Sequence, residues 1–184
     1  MSSGRSGPLV RRVFPTPAGD LAVIAEGQVV VATSFYGMDD ALVRLADRVG
    51  RGSDPQVSPG PLAGIEAVLA RYAQGDIHAL EEVEVSQPGG PFQQRAWTAM
   101  RDIRAGTVDS YAGLAARAGN PRAYRAAGTV CSANMVAPFV PCHRVVASGG
   151  IGDYGYGVAL KEALLRHEGV DVLALGNRPR SVGV

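Results

Sequence analysis

Cys142 and His143 stand side by side at the end of an apolar run, Pro138-Phe139-Val140-Pro141-Cys142-His143-Arg144-Val145-Val146. A thiol is nucleophilic as thiolate, and an adjacent imidazole and arginine give it an electropositive setting that favours that form. The run reads as a buried strand or extended segment. Pro141, which cannot donate to a ladder, ends it and leaves the thiol at the mouth of a core element. A bare Cys-His pair is more often structural than catalytic, because cysteine is among the most buried residue types. The flanking elements therefore carry the argument.

Residues Phe92 to Ile103 read as a helix with Phe92, Ala96, Trp97, Met100 and Ile103 on one face. Gly106-Thr107 breaks the chain, and Ser110 caps a short helix, Tyr111 to Ala118. Gly119-Asn120-Pro121 turns into a further helix, Arg122 to about Ala133. Helix, short turn, helix is the helix-turn-helix pattern, which many helical hairpins share without binding anything. Arg122 and Arg125 lie on the second helix, while Ala123, Ala126, Ala127 and Gly128 leave one side almost without bulk. Such a face permits close approach to another helix or to a DNA groove. The glycine-rich stretch Ser148 to Gly157 is either a surface loop or a pocket wall whose amides meet a ligand. It lacks the Gly-Lys-Ser/Thr of a phosphate loop. A helix from Ala159 to His167 turns Leu160, Leu164 and Leu165 inward and closes at Glu168-Gly169.

The first half reads as a β-meander: Leu9 to Phe14, a turn at Thr16 to Asp20, Leu21 to Ala25, a turn at Glu26-Gly27, and Val29 to Phe35. Helices follow at Met38 to Val49 and Leu62 to Ala73, separated by a Gly/Ser/Asp/Pro-rich loop at 50–60, and Val83 to Val85 offers one more strand. No residue of this half shows a chemical pattern. The expected fold is α/β. A small N-terminal α/β domain, antiparallel sheet plus helices, spans 1–87 with 1–8 disordered. A mostly helical domain with a helix-turn-helix spans 88–175, and 176–184 is a flexible tail.

The chain has 184 residues, 46% of them hydrophobic, enough for a proper core. No apolar run approaches the ~20 residues of a membrane span, and no signal peptide is visible. Two cysteines are too few for a disulfide scaffold, so a cytoplasmic setting is expected. The net charge of +1 hides an asymmetry. Residues 1–89 carry 7 basic and 11 acidic side chains, whereas residues 90–184 carry 11 basic and 6 acidic. The half that holds Cys142 is therefore the one a polyanion would meet. His78, His143 and His167 are scattered and the first half has no cysteine, so no zinc or other metal site is expected.

Pro141-Cys142-His143-Arg144-Val145, the glycine-rich loop and the closing His167-Glu168-Gly169 together resemble the O6-alkylguanine-DNA alkyltransferases, also called methylated-DNA–protein-cysteine methyltransferases. Phe92-Gln93-Gln94-Arg95-Ala96-Trp97 and Asn120-Pro121-Arg122-Ala123-Tyr124-Arg125-Ala126 match the same family. The resemblance covers Phe92 to Gly169, and in the first half rests only on Thr16-Pro17-Ala18-Gly19-Asp20-Leu21.

It implies an irreversible, single-turnover transfer of a methyl or small alkyl group from guanine O6 in duplex DNA to Cys142, after nucleotide flipping and without cofactor. Glu168 would orient His143, and His143 would take the Cys142 proton through water. Tyr111 would contact the rotated nucleotide and protonate the departing guanine, and Asn134 would be the hinge between recognition helix and active site. Arg125 would enter the base stack from the minor groove, with Arg122, Ser110, Ala123 and Ala126 on the same DNA-facing surface. The pocket would use the carbonyls of Cys142 and Val145, the amide of Gly155, the Tyr154 wall and Cys131. The implied partner is double-stranded DNA carrying O6-alkylguanine, met by a monomer with no membrane role.

Four positions depart from the family pattern. Met135 follows Asn134 where proline is usual, Cys131 replaces a larger apolar residue, Ser132 replaces a basic one, and Tyr156 stands where many members have glycine. Tyr156 is expected to narrow the pocket, so that methyl adducts react well and benzyl adducts poorly. Two other functions compete. One is a non-catalytic, alkyltransferase-like lesion binder, which usually lacks the cysteine. The other is a cysteine hydrolase, although adjacent residues rarely pair directly as nucleophile and base.

Overall fold

The computed structural model describes residues 7–49 and 56–176. The expected disorder at 1–6, the loop at 50–55 and the tail at 177–184 lie outside the described residues. The meander forms as expected: β1 (Leu9–Thr16), β2 (Gly19–Glu26) and β3 (Val29–Ser34) are antiparallel neighbours. A fourth strand, β4 (Val57–Pro59), lies parallel to β1 inside the stretch expected to be loop, giving the order β3-β2-β1-β4. Leu21 to Ala25 of β2 are buried on both faces, the reason the run is continuously apolar rather than alternating. Helix α1 (Met38–Val49) covers one face through Ala41 and Leu45. Helix α2 (Ala63–Ala73) covers the other through Ile65, Leu69 and Tyr72.

Residues 83–85 do not make the expected strand. After a 3-10 turn at Ala79–Glu82, the chain touches β3 in a single bridge between Val30 and Val85. The Val30 amide donates to the Glu84 carbonyl and the Ser86 amide to the Val30 carbonyl, each at 2.9 Å.

The second half contains α3 (Pro91–Arg101), β5 (Asp109–Ser110), α4 (Tyr111–Arg117) and α5 (Tyr124–Ser132). A 3-10 turn (Cys142–Arg144), β6 (Val145–Val146), α6 (Val158–His167) and α7 (Val172–Gly176) complete it. Pro91 opens α3, and the Ser110 hydroxyl accepts from the Gly113 amide at 3.0 Å to cap α4. α5 starts at Tyr124, so Arg122 sits in the turn and Ala123 at the N-cap, not on the helix as expected. The Pro138–Val140 run is also not a strand. It is a buried turn that delivers Cys142 to the 3-10 segment. Past the expected domain end, α7 extends to Gly176 because Val172 and Leu175 bury against Val146 and Leu165.

One hydrophobic core runs through both halves, joining Phe14, Leu21 and Val23 to Trp97, Met100, Phe139 and Leu164. The edge of β3 is used rather than left open. Thr33 donates its amide to the Met135 carbonyl at 2.8 Å and its hydroxyl to the Ala137 carbonyl at 2.5 Å. The sheet thereby holds the segment that leads to Cys142. Among the described residues no helix is long and apolar enough to cross a membrane.

Candidate active site

Cys142 is held from three directions. Its amide donates to the Val140 carbonyl at 2.9 Å, and β6 just after it pairs in parallel with β5 just before Tyr111. In front, the Asn134 side-chain nitrogen reaches the Val140 carbonyl at 2.7 Å and the Cys142 sulfur at 3.1 Å. The Asn134 oxygen accepts from Gln87 Nε2 at 3.1 Å and from the Val136 amide at 3.2 Å. Asn134 is buried and its polar atoms are all engaged, so its amide cannot rotate away from the sulfur. Gln87 also accepts the Met135 amide at 2.8 Å. The N–H that a proline would lack is thus satisfied, and the hinge stays anchored despite Met135.

Behind Cys142 lies a buried polar cluster. His143 Nε2 is 2.9 Å from Glu168 Oε1. Arg144 grips the same carboxylate with Nε at 2.9 Å and Nη2 at 3.0 Å, and donates Nη1 to the Ile103 carbonyl at 2.7 Å. Tyr72 donates its hydroxyl to Glu168 Oε1 at 3.1 Å. Contrary to the expectation from its position in sequence, Arg144 does not serve the thiol; it supplies the counter-charge for Glu168. Burial alone would raise the Glu168 carboxyl, but His143 and Arg144 outweigh it and hold the group well below the usual carboxylate range. Burial depresses His143 against the pull of Glu168, so the imidazole is neutral. With Arg144 already pairing the carboxylate, the tautomer that satisfies the network carries its proton on Nε2 and donates to Glu168. Nδ1 is then a basic lone pair, buried and with no partner in the protein.

Burial outweighs the Asn134 amide, the Lys161 ammonium and the Tyr154 hydroxyl and leaves the Cys142 thiol above its ordinary value, so the thiolate-favouring setting expected from His143 and Arg144 does not form in the free protein. The Tyr154 hydroxyl is buried and close enough to the thiol to interact, yet makes no hydrogen bond of good geometry to a protein atom. Lys161 is fully buried on α6, with Nζ donating to the Val145 carbonyl at 2.7 Å and the Asp153 carbonyl at 3.1 Å. Burial lowers it to about 8, against the attraction of Cys142 and Cys131.

The thiol opens on a cavity of about 210 Å³ walled by Tyr111, Gly128, Cys131, Ser132, Cys142, Asp153, Tyr154 and Gly155. This gathers the expected nucleophile, the expected proton donor and three of the expected pocket residues. Burial, then the nearby thiols and Asp153, push the Tyr111 hydroxyl up to about 12, so it keeps its proton. The loop that forms one wall needs glycine at Gly152, where φ is +72° and a Cβ would lie 3.1 Å from the Ala147 amide nitrogen. Two expected pocket residues are not in the lining. Val145 is fully buried and its carbonyl is taken by Lys161. Tyr156 does not narrow the cavity. It lies behind Tyr154, packs on Phe35 and Tyr36, and donates its hydroxyl to the Thr33 carbonyl at 3.2 Å.

The expected recognition surface lies on the helix whose Gly128, Cys131 and Ser132 line the cavity. Arg122 and Arg125 are exposed, Ala123, Ala126 and Gly128 are half-buried, and Ala127 belongs to the core. The Arg125 guanidinium rests 5.7 Å from the Tyr124 ring centre. Ser110 is spent on the α4 cap. Among the described residues no cluster of three or more His, Cys, Asp or Glu side chains could hold a metal.

Lys161, Gln87 and Tyr72 escape the sequence reading. Lys161 had a signal, as the chain's single lysine beside the inward Leu160 and Leu164. Tyr72 had half of one: its spacing from Ile65 and Leu69 turns it inward, but nothing local names a partner 96 positions away.

The family model for the 6-O-methylguanine DNA methyltransferase DNA-binding domain matches residues 91–170. Over 164 residues the chain is 36% identical to the methylated-DNA–protein-cysteine methyltransferase of Salmonella typhimurium, covering 88% of this chain and 96% of that protein. It is 43% identical over 119 residues to the human protein of the same name, covering 60% and 57%. The crystal structure of Mycobacterium tuberculosis OGT in complex with DNA superposes with a TM-score of 0.69 at 30% identity, covering 90% of this chain and 98% of that one.

Proposed function

The chain belongs to the methylated-DNA–protein-cysteine methyltransferase family and acts in DNA repair by alkyl transfer, and we propose that Cys142 is the acceptor of a methyl or small alkyl group from guanine O6. The observation that carries this assignment is the thiol itself, fixed by Asn134 at the floor of the cavity and followed by a His143–Glu168 pair whose Nδ1 lone pair is free.

The reaction joins the Cys142 sulfur to the alkyl carbon and breaks the carbon–O6 bond, sending that electron pair into the guanine ring. Guanine leaves well only if a proton reaches its ring nitrogen, and the Tyr111 hydroxyl on the cavity wall is the donor. The thiol proton passes through water to His143 Nδ1, and Glu168, charged and clamped by Arg144, stabilises the imidazolium. The product is a thioether with no route back to thiol, so each molecule acts once and needs no cofactor. Nothing favours the lesion-binding alternative.

Double-stranded DNA carrying O6-alkylguanine is the partner, met from the minor groove by a monomer in the cytoplasm. Arg125 fills the space of the turned-out nucleotide, whose rotation costs a few kcal/mol. Arg122 and Tyr111 meet phosphate, and Ala123, Ala126 and the Ser110-capped end of α4 allow close approach. Residues 88–175 carry the chemistry, and residues 1–87 brace it.

Intact mass after incubation with a duplex holding one O6-methylguanine tests the assignment. One methyl on the Cys142 peptide, absent in Cys142→Ala, is the expected result; an unchanged mass refutes it.

A further inference from the structure

We infer that Tyr72, on α2 of the N-terminal half, is a positioning residue for the Cys142–His143 relay and acts through Glu168. This rests on the acceptor reading above. Tyr72 is buried, and its hydroxyl donates to Glu168 Oε1 at 3.1 Å, the same oxygen that pairs with His143 Nε2 at 2.9 Å. The neighbour of Glu168, His167, places Nε2 2.6 Å from the Tyr72 carbonyl oxygen and sets its ring edge-on to the Tyr72 ring at 4.7 Å. The end of α6 and the last turn of α2 therefore hold each other by two bonds of opposite direction. The phenol keeps its proton, because burial and then the Glu168 charge push it far above its ordinary value.

A hydroxyl donated to a carboxylate oxygen draws charge away from that oxygen. Oε1 is then a weaker partner for the His143 N–H, and His143 stays neutral to lower pH. Around this pair lie Arg144 on Glu168, Arg144 and Lys161 toward His143, His167 on Tyr72, and Glu81 at 4.0 Å from Arg144. Among the described residues Tyr72 is the sole uncharged donor to the Glu168 carboxylate apart from His143, and it comes from the half of the chain that shows no chemical pattern in sequence.

Tyr72→Phe in the full chain keeps the ring and removes the donor. Two readouts are taken against pH: iodoacetamide labelling of Cys142 by peptide mapping, and single-turnover methyl transfer from saturating duplex. The acid limb of both is expected to move up by about one pH unit, a tenfold loss of rate at its foot, with duplex affinity unchanged. His167→Gln, which loosens Tyr72 without touching Glu168, is expected to shift both limbs in the same direction by less. Superimposable profiles for wild type and both variants would overturn the inference and leave Tyr72 as packing. If wild type labels normally but transfers no methyl, the acceptor reading fails, while the labelling profiles still decide the role of Tyr72.

Discussion

The Asn134 side-chain nitrogen lies 3.1 Å from the Cys142 sulfur because its other hydrogen is committed to the Val140 carbonyl at 2.7 Å. One amide thus fixes both the turn before Cys142 and the Cys142 thiol itself. Asn134→Ala would strip partners from Val140, Gln87 and the sulfur at once. Each buried polar group left unpaired costs about 1–3 kcal/mol. A thermal midpoint several degrees lower is expected, with slower iodoacetamide labelling of Cys142 at neutral pH. Asn134→Asp should restore part of the fold but slow labelling further, since a carboxylate beside the sulfur opposes thiolate.

Acid should destabilise the protein in two stages. His143 is depressed in the fold below its ordinary 6.5, so the unfolded chain binds the extra proton first and stability falls once pH drops below that value. Glu168 is held below its ordinary 4.5, and its contribution, complete above that pH, is lost on further acidification. Thermal midpoints measured from pH 7.5 to 4 should hold until about pH 6.5 and decline below it. Glu168→Gln should melt lower at pH 7.5, by about 3–5 kcal/mol for a buried Arg144 left without its counter-charge, and show a flatter slope below pH 4.5. A wild-type midpoint that does not change over this range would contradict the assignment of a neutral His143.

Lys161 works in the same direction at higher pH. Its ammonium is lowered from 10.5 to about 8, so between those values the unfolded chain holds the proton and the folded one does not. Stability should therefore rise across that window relative to Lys161→Met, as measured by urea unfolding at pH 8 and pH 10. The same variant removes a positive charge that favours the Cys142 thiolate. Its labelling curve should move to higher pH.

Arg125 is exposed on α5, and among the described residues its guanidinium meets only the Tyr124 ring. Arg125→Ala should leave the melting temperature unchanged within a degree or so and slow transfer from duplex by about ten- to a hundredfold, part of the few kcal/mol needed to turn a base out. Transfer from the free base should be unaffected. An equal loss with both substrates would remove Arg125 from the nucleotide-flipping step.

The local pattern in the chain determined much of this protein. Short apolar runs between turn residues set the β-meander, and helical periodicity set α1, α2 and α6 to within a residue at each end. The juxtaposition of Cys142 and His143, with Glu168 closing a helix, was visible as a motif. These features are legible because they depend on neighbours within a few residues. What the motif did not contain was direction. Arg144 stands next to the thiol's neighbour in sequence but turns away to Glu168, and Tyr156 stands in the glycine loop but points to Thr33 rather than into the cavity. The tertiary structure also decided that the Pro138–Val140 run is a core turn hung on the edge of β3, that Gln87 accepts the Met135 amide, and that Tyr72 reaches Glu168. Each of these is a contact between segments far apart in the chain. A buried polar group must find its partner wherever packing brings one, and no spacing along the chain encodes which one that is.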